Sequence, residues 1–146
     1  MEIMSTTAAR GWEHFHHVAD IGVRGNGNTL GEAFEQAALA MTAVIVEPSR
    51  VADTQAVEIV VSAEDREILL LEWLDALIYE MATRKMLFRR FRVEIEDCRL
   101  HATAWGEPID VDRHQPGVEI KGATFTELKV WQESDDTWHA QCVVDV

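Results

Sequence analysis

An α+β fold, with two amphipathic helices packed on a largely antiparallel sheet, is predicted by three features of this sequence. Residues 30–45 and 63–83 keep helical apolar spacing, the second half of the chain alternates apolar and polar residues, and repeated strand–helix units are missing. With 146 residues, 47% of them hydrophobic, the chain can bury a real core as one domain. That domain is expected over 13–146, behind a flexible lead-in at 1–12 whose side chains show no periodicity.

The formal net charge of −13 argues against a surface devoted to nucleic acid, because phosphates would be repelled. It suits a protein that binds cations or docks on a basic partner. No apolar run reaches the length of a membrane span, and the first residues lack the pattern of a signal peptide. Cys98 and Cys142 form no CxxC pair and read as reduced core thiols, so a cytoplasmic location is expected.

In chain order, a first strand opens at Glu13-His14-Phe15-His16-His17 and continues through Val23. Val18 and Asp20 then share one face, and Ala19, Ile21 and Val23 the other. His14 and His16 share a face while His17 points away, which disfavours a three-histidine zinc site. Next, Gly25-Asn26-Gly27-Asn28-Thr29-Leu30-Gly31 spells GxGxxxG between a strand and a helix, the setting of a dinucleotide fingerprint. The spacing departs from GxGxxG, and no acid ends a second strand where a ribose would be held. The plainer reading gives Gly25 and Gly27 unusual backbone angles in a tight turn. A nucleotide-binding enzyme using the 25–31 turn stays open as an alternative.

Thr29 and Glu32 form a capping box for the first helix, whose core face carries Leu30, Ala33, Phe34, Ala37, Ala38, Met41, Val44 and Ile45 before Pro48 stops it. Val57, Ile59 and Val61 alternate as a strand. Ser62 is placed to cap the second helix, whose apolar face carries Leu70, Leu71, Leu74, Leu77, Ile78 and Met81. Glu72, Asp75 and Glu80 read as its solvated face, with Trp73 partly exposed beside it. Arg84-Lys85 and Arg89-Arg90-Phe91-Arg92 are the only basic concentrations, read as a wet strand face or as a contact with a partner or RNA.

Strands follow over Phe91–Glu96 and Leu100–Trp105, turning near Asp97-Cys98. Gly106-Glu107-Pro108 breaks the pattern, and 110–117 reads as an exposed loop in which Asp110 and Asp112 are only weak cation candidates. Val118–Trp131 reads as one long strand holding Lys121, an outward residue by pattern. After a turn at Ser134-Asp135-Asp136, the last strand sets Trp138, Ala140, Cys142 and Val144 on one face. No nucleophile–base pair or paired-carboxylate arrangement emerges, so catalysis by this chain alone is not expected.

The most pointed chemistry joins the two ends. Asp20 lies among apolar strand residues, where an acid must face water or find a partner. Asp145 stands next to Val146, where the sequence stops. If the first and last strands are neighbours, Asp20, Asp145 and an oxygen of Val146 gather hard ligands that suit calcium or magnesium and suit zinc poorly.

His17–Gly27 (HVADIGVRGNG), Glu119–Phe125 (EIKGATF) and the final Asp145-Val146 together resemble the archease family, with the motifs in order over nearly the whole chain. The resemblance implies an archease-like fold. It also implies a metal-binding protein cofactor, not itself a catalyst, that activates an RtcB-type RNA ligase in tRNA splicing by promoting guanylylation and turnover. By the same resemblance Asp20 and Asp145 are metal ligands with a main-chain or terminal oxygen of Val146, and Lys121 matches a position important for activity. A chaperone role toward another tRNA-modifying enzyme is also attached to the family. Two departures bear on the site: His16 stands where the family has an acid, and Val18 where it has a Thr. Gly122 and Phe125 replace the more usual Ala and Tyr.

Overall fold

Antiparallel pairing organises the chain into two sheets held together by two long helices, as seen in a computed structural model that describes residues 10–17 and 20–146. The first sheet runs β1 (Gly11–His17), β2 (Asp20–Gly27), β8 (Trp138–Asp145) and β6 (Gly122–Ala123), with β7 (Lys129–Gln132) also pairing β8. The second sheet runs β3 (Gln55–Ser62), β5 (Arg99–Pro108) and β4 (Met86–Glu96). Between them lie α1 (Leu30–Ile45) and α2 (Arg66–Arg84), and a short α3 (Val111–His114) follows β5. This is the expected α+β architecture, with the strands divided between two sheets. The first strand begins at Gly11, inside the expected lead-in, and 1–9 lie outside the described residues.

The expected single strand over 13–23 is two strands, β1 and β2, paired antiparallel with His17 opposite Asp20. Val18 and its proposed facing lie outside the described residues. Gly25 and Gly27 are not in a turn: they sit within β2, and no described glycine has positive φ. Their role is close packing. A Cβ on Gly25 would stand 2.1 Å from the Ala37 N and 2.3 Å from the Ala33 O of α1. At Gly27 it would stand 2.4 Å from Glu32 Cβ. The absent side chains let helix and strand touch backbone to backbone.

Thr29 caps α1 as expected, its Oγ1 accepting the Glu32 N–H at 3.0 Å, while Glu32 Oε1 accepts the Asn28 N–H at 2.9 Å. At α2 the cap is Asp65 rather than Ser62, with Oδ1 accepting the Ile68 N–H at 2.8 Å, so the helix starts three residues late. Trp73 is fully buried, not partly exposed, and its indole N–H donates to Phe34 O at 3.1 Å. An indole can be buried this deeply because its single donor is satisfied. Trp73 meets Phe91 edge-on, in a core that also holds Phe34, Met41, Leu70, Leu74 and Cys142.

The expected strand over 118–131 is broken. Only 122–123 and 129–132 pair, both with β8, and Glu127 between them takes a left-handed backbone conformation at φ 55°. The loop at 110–117 is not wholly exposed either: α3 buries His114 to 1% exposure against Glu107.

Candidate metal centre

Strand register brings the ends of the chain together. β2 pairs β8 with Ile21 opposite Val144, and one further step of the same register sets Asp20 across from Asp145. On the other side of β8, Gly122 pairs Asp145 and Ala123 pairs Val144. The Lys121 N–H donates to Asp145 O at 2.7 Å, which holds Lys121 beside the same strand end. Asp20, Lys121, Asp145 and Val146 therefore share one end of the first sheet. Asp145 and Lys121 are exposed there, and Asp20 and Val146 are half-buried.

No side-chain hydrogen bond or ion pair engages Asp20, Asp145 or Lys121 among the described residues. Two carboxylates at facing positions with no donors between them repel each other, a state that a hard cation relieves. The donors are all oxygen, which fits calcium or magnesium. Among the described residues no group of three or more His, Cys, Asp and Glu side chains gathers as a metal site, so a cation here would rely on main-chain oxygen and water as well.

The segment that carries Lys121 is tied from behind. Asp75, read from the sequence as solvated, accepts the Ala123 N–H on Oδ1 at 2.9 Å. Thr124 donates its N–H and its hydroxyl to Val143 O, at 3.0 and 2.8 Å. A second acid of α2, Glu67, accepts the Val130 N–H of β7 at 3.0 Å. A signal for Asp75 was present in the sequence: Leu71, Asp75 and Ile78 fall at i, i+4 and i+7, which places the acid on the packed side of α2. Glu35 of α1 does the same for β4, accepting the Val93 N–H at 2.9 Å, and burial raises its carboxyl above the ordinary value.

The other candidates go elsewhere. His14 Nε2 bonds to Ala40 O at 2.8 Å, and the side chain of His17 lies outside the described residues. Asp110 accepts the Arg113 N–H at 3.2 Å as the cap of α3. In the basic stretch, Arg90 lies 3.8 Å over the Trp105 ring and donates to Asp53 at 2.9 Å, and that guanidinium holds the Asp53 carboxyl below its ordinary value. Arg92 reaches Glu94 at 3.3 Å. At the glycine-rich segment α1 covers the strand, and Asn28 and Glu32 N–H groups already have side-chain acceptors, which leaves little of a phosphate cradle. Burial pushes the Cys142 thiol up to about 12, as expected of a core residue.

A model of the archease protein family (MTH1598/TM1083) matches residues 12–146. A protein archease of Pyrococcus abyssi is 40% identical over 139 residues, covering 92% of this chain and 98% of its own. One from Pyrococcus furiosus is 40% identical over 141 residues, covering 94% and 99%. The solution structure of Methanobacterium thermoautotrophicum protein 1598 superposes with a TM-score of 0.80 at 36% identity, covering 93% of this chain and 99% of that one. A crystal structure from Thermotoga maritima, described as an archease and possible chaperone, shares the fold at a TM-score of 0.61 and 21% identity, covering 90% and 94%. The chain belongs to the archease family.

Proposed function

We propose that this protein is an accessory factor that activates an RtcB-type RNA ligase in tRNA splicing, promoting its guanylylation and turnover, and is not itself the catalyst. The carrying observation is the register that sets Asp20 opposite Asp145 with Lys121 on the neighbouring segment. Family membership supports the same reading. Asp20, Asp145 and an oxygen of Val146 would hold one divalent cation, calcium by preference and magnesium as the second choice. When bound, such a cation supplies a positive charge able to polarise a phosphate oxygen. This chain's own part is to present the two carboxylates on a rigid strand pair and to hold an ammonium beside them. An acidic protein of net charge −13 suits docking on a basic, RNA-handling surface.

Ligase turnover with and without the purified protein tests the proposal. The protein alone should leave RNA unjoined, and the ligase should take up guanosine monophosphate faster in its presence. Asp20→Ala and Asp145→Ala should lose this stimulation. A ligase indifferent to the protein would overturn the reading. The Thermotoga relative is described as a possible chaperone, and the second reading, which the resemblance suggests, is a chaperone role toward a different tRNA-modifying enzyme. Capture from cell extract separates the two, by whether the ligase or another enzyme is retained.

A further inference from the structure

We infer that Asp75 is a positioning residue for the Asp20–Asp145 centre, an inference that rests on the metal reading above. The segment that clasps Asp145 is short: β6 contains only Gly122 and Ala123. Lys121 N and Thr124 N both bond into β8, to Asp145 O at 2.7 Å and Val143 O at 3.0 Å. The Ala123 N–H between them turns away from β8 and would be an open edge donor. Asp75 Oδ1 takes that donor at 2.9 Å, from a half-buried position on α2.

The helix supplying this carboxylate is anchored. Leu71, Leu74 and Leu77 are buried at 7, 0 and 1% exposure on the turns flanking Asp75. A hydrogen bond to an ionised acceptor is about twice as strong as a neutral one, so one contact can fix a two-residue strand that its own ladder holds weakly. A Cβ built on Gly122 would stand 3.8 Å from Asp75 Oδ1, so the carboxylate also lies next to this residue of the strand. Asp75 thus sets where Lys121 and the main chain of Asp145 stand without reaching the cation site. Groups that orient metal ligands in this way carry about 10–100-fold in metal affinity.

The test compares unsubstituted protein with Asp75→Asn and Asp75→Ala, using Asp20→Ala as the control for the centre itself. Calcium chloride is titrated by calorimetry, and amide exchange is followed at Lys121 and Ala123. Asp75→Ala should bind calcium about 10–100-fold more weakly and exchange both amides faster. Asp75→Asn keeps an acceptor oxygen and should restore most of both properties, a rescue that loss of packing would not give. In the unsubstituted protein, calcium should slow exchange of the Ala123 amide, because coupling between the two sites is reciprocal. That measurement stands even if Asp75→Ala does not fold. Calcium binding in Asp75→Ala equal to the unsubstituted protein, with Asp20→Ala inert, overturns the positioning role alone. An Ala123 amide indifferent to calcium also overturns it. Calcium binding absent from the unsubstituted protein removes the metal reading and this inference with it.

Discussion

Two strand ends of this molecule carry carboxylates and treat their charge in opposite ways. At the end of β5, Glu107 is 8% exposed and both oxygens of its carboxylate are met by donors. Arg113 supplies two N–H groups at 2.6 and 2.8 Å, Ala52 N–H lies at 2.7 Å, and His114 Nε2 at 2.8 Å. His114 Nδ1 accepts the Asp110 N–H at 2.8 Å, so the ring proton sits on Nε2 and is given to Glu107. Asp20 and Asp145, by contrast, face each other across β2 and β8 with no donor between them among the described residues. Both regions hold carboxylates at strand ends. What distinguishes a structural hub from a candidate ligand pair is the supply of donors, and that supply is set by the fold around the acid.

Removing the hub should produce the largest loss. Glu107→Ala would strand the Ala52 N–H and the Nε2–H of buried His114, while half-exposed Arg113 turns to water, and a buried donor left unsatisfied costs about 1–3 kcal/mol. Urea unfolding measures it, and a loss below about 1 kcal/mol would make the two regions equivalent. The Arg113 hydrogen bonds, with the Ala52 N–H behind them, hold the Glu107 carboxyl well below its ordinary value of 4.5. Ionised Glu107 therefore favours the folded state, fully so above pH 4.5, and that contribution falls away as the pH drops below it. Glu107→Gln should lose stability at pH 7, and its deficit should shrink progressively as the pH falls below 4.5. Parallel pH curves for the two proteins would show that Glu107 titrates normally.

This contrast was only half legible in the sequence. Periodicity carried the helices, the β3 and β5 strands and the inward face of β8, because apolar alternation reports burial directly. The Asp20–Asp145 pairing could be posed from the residues only on the condition that the first and last strands are neighbours, and the resemblance supported it, since register between residues so far apart in the chain has no local signature. Glu107 went unnoticed because Gly106 and Pro108 look like a break, whereas β5 runs through all three. There a Cβ on Gly106 would stand 1.8 Å from Leu87 O, so the glycine serves close strand packing. The glycines of β2 misled for the same reason: a residue without a side chain signals a turn or a close approach equally well. Asp75 misled because, although its spacing from Leu71 and Ile78 sets it on the packed side of α2, a helical wheel cannot show that the Ala123 N–H waits opposite it.

Removing either open carboxylate should do the reverse of removing Glu107. Asp20→Ala and Asp145→Ala relieve repulsion, so stability without metal should hold or rise. With so few protein ligands, calcium should bind at roughly 10⁻⁵ to 10⁻³ M. At ten times that dissociation constant it should stabilise the unsubstituted protein by about 1.4 kcal/mol, and this increment should vanish in both variants. Thermal unfolding with and without calcium reads the effect. Equal calcium stabilisation in all three proteins would place the cation elsewhere and leave Asp20 and Asp145 as ordinary surface acids.

Lys121 should show the smallest change in stability. Its bond to Asp145 is made by the main-chain N–H, which any residue but proline retains, and its exposed side chain has no partner among the described residues. Lys121→Ala should therefore shift unfolding by no more than about 0.5 kcal/mol. Its ammonium is nevertheless the cation nearest in sequence to the Asp145 clasp, so stimulation of the ligase should collapse in Lys121→Ala while calcium stabilisation persists. Lys121→Arg keeps the charge but spreads it over a planar fork, so recovery in that variant distinguishes a need for charge from a need for a compact ammonium. If Lys121→Ala stimulates the ligase as well as the unsubstituted protein does, Lys121 is a solvated strand-end residue and the open region acts through its carboxylates alone.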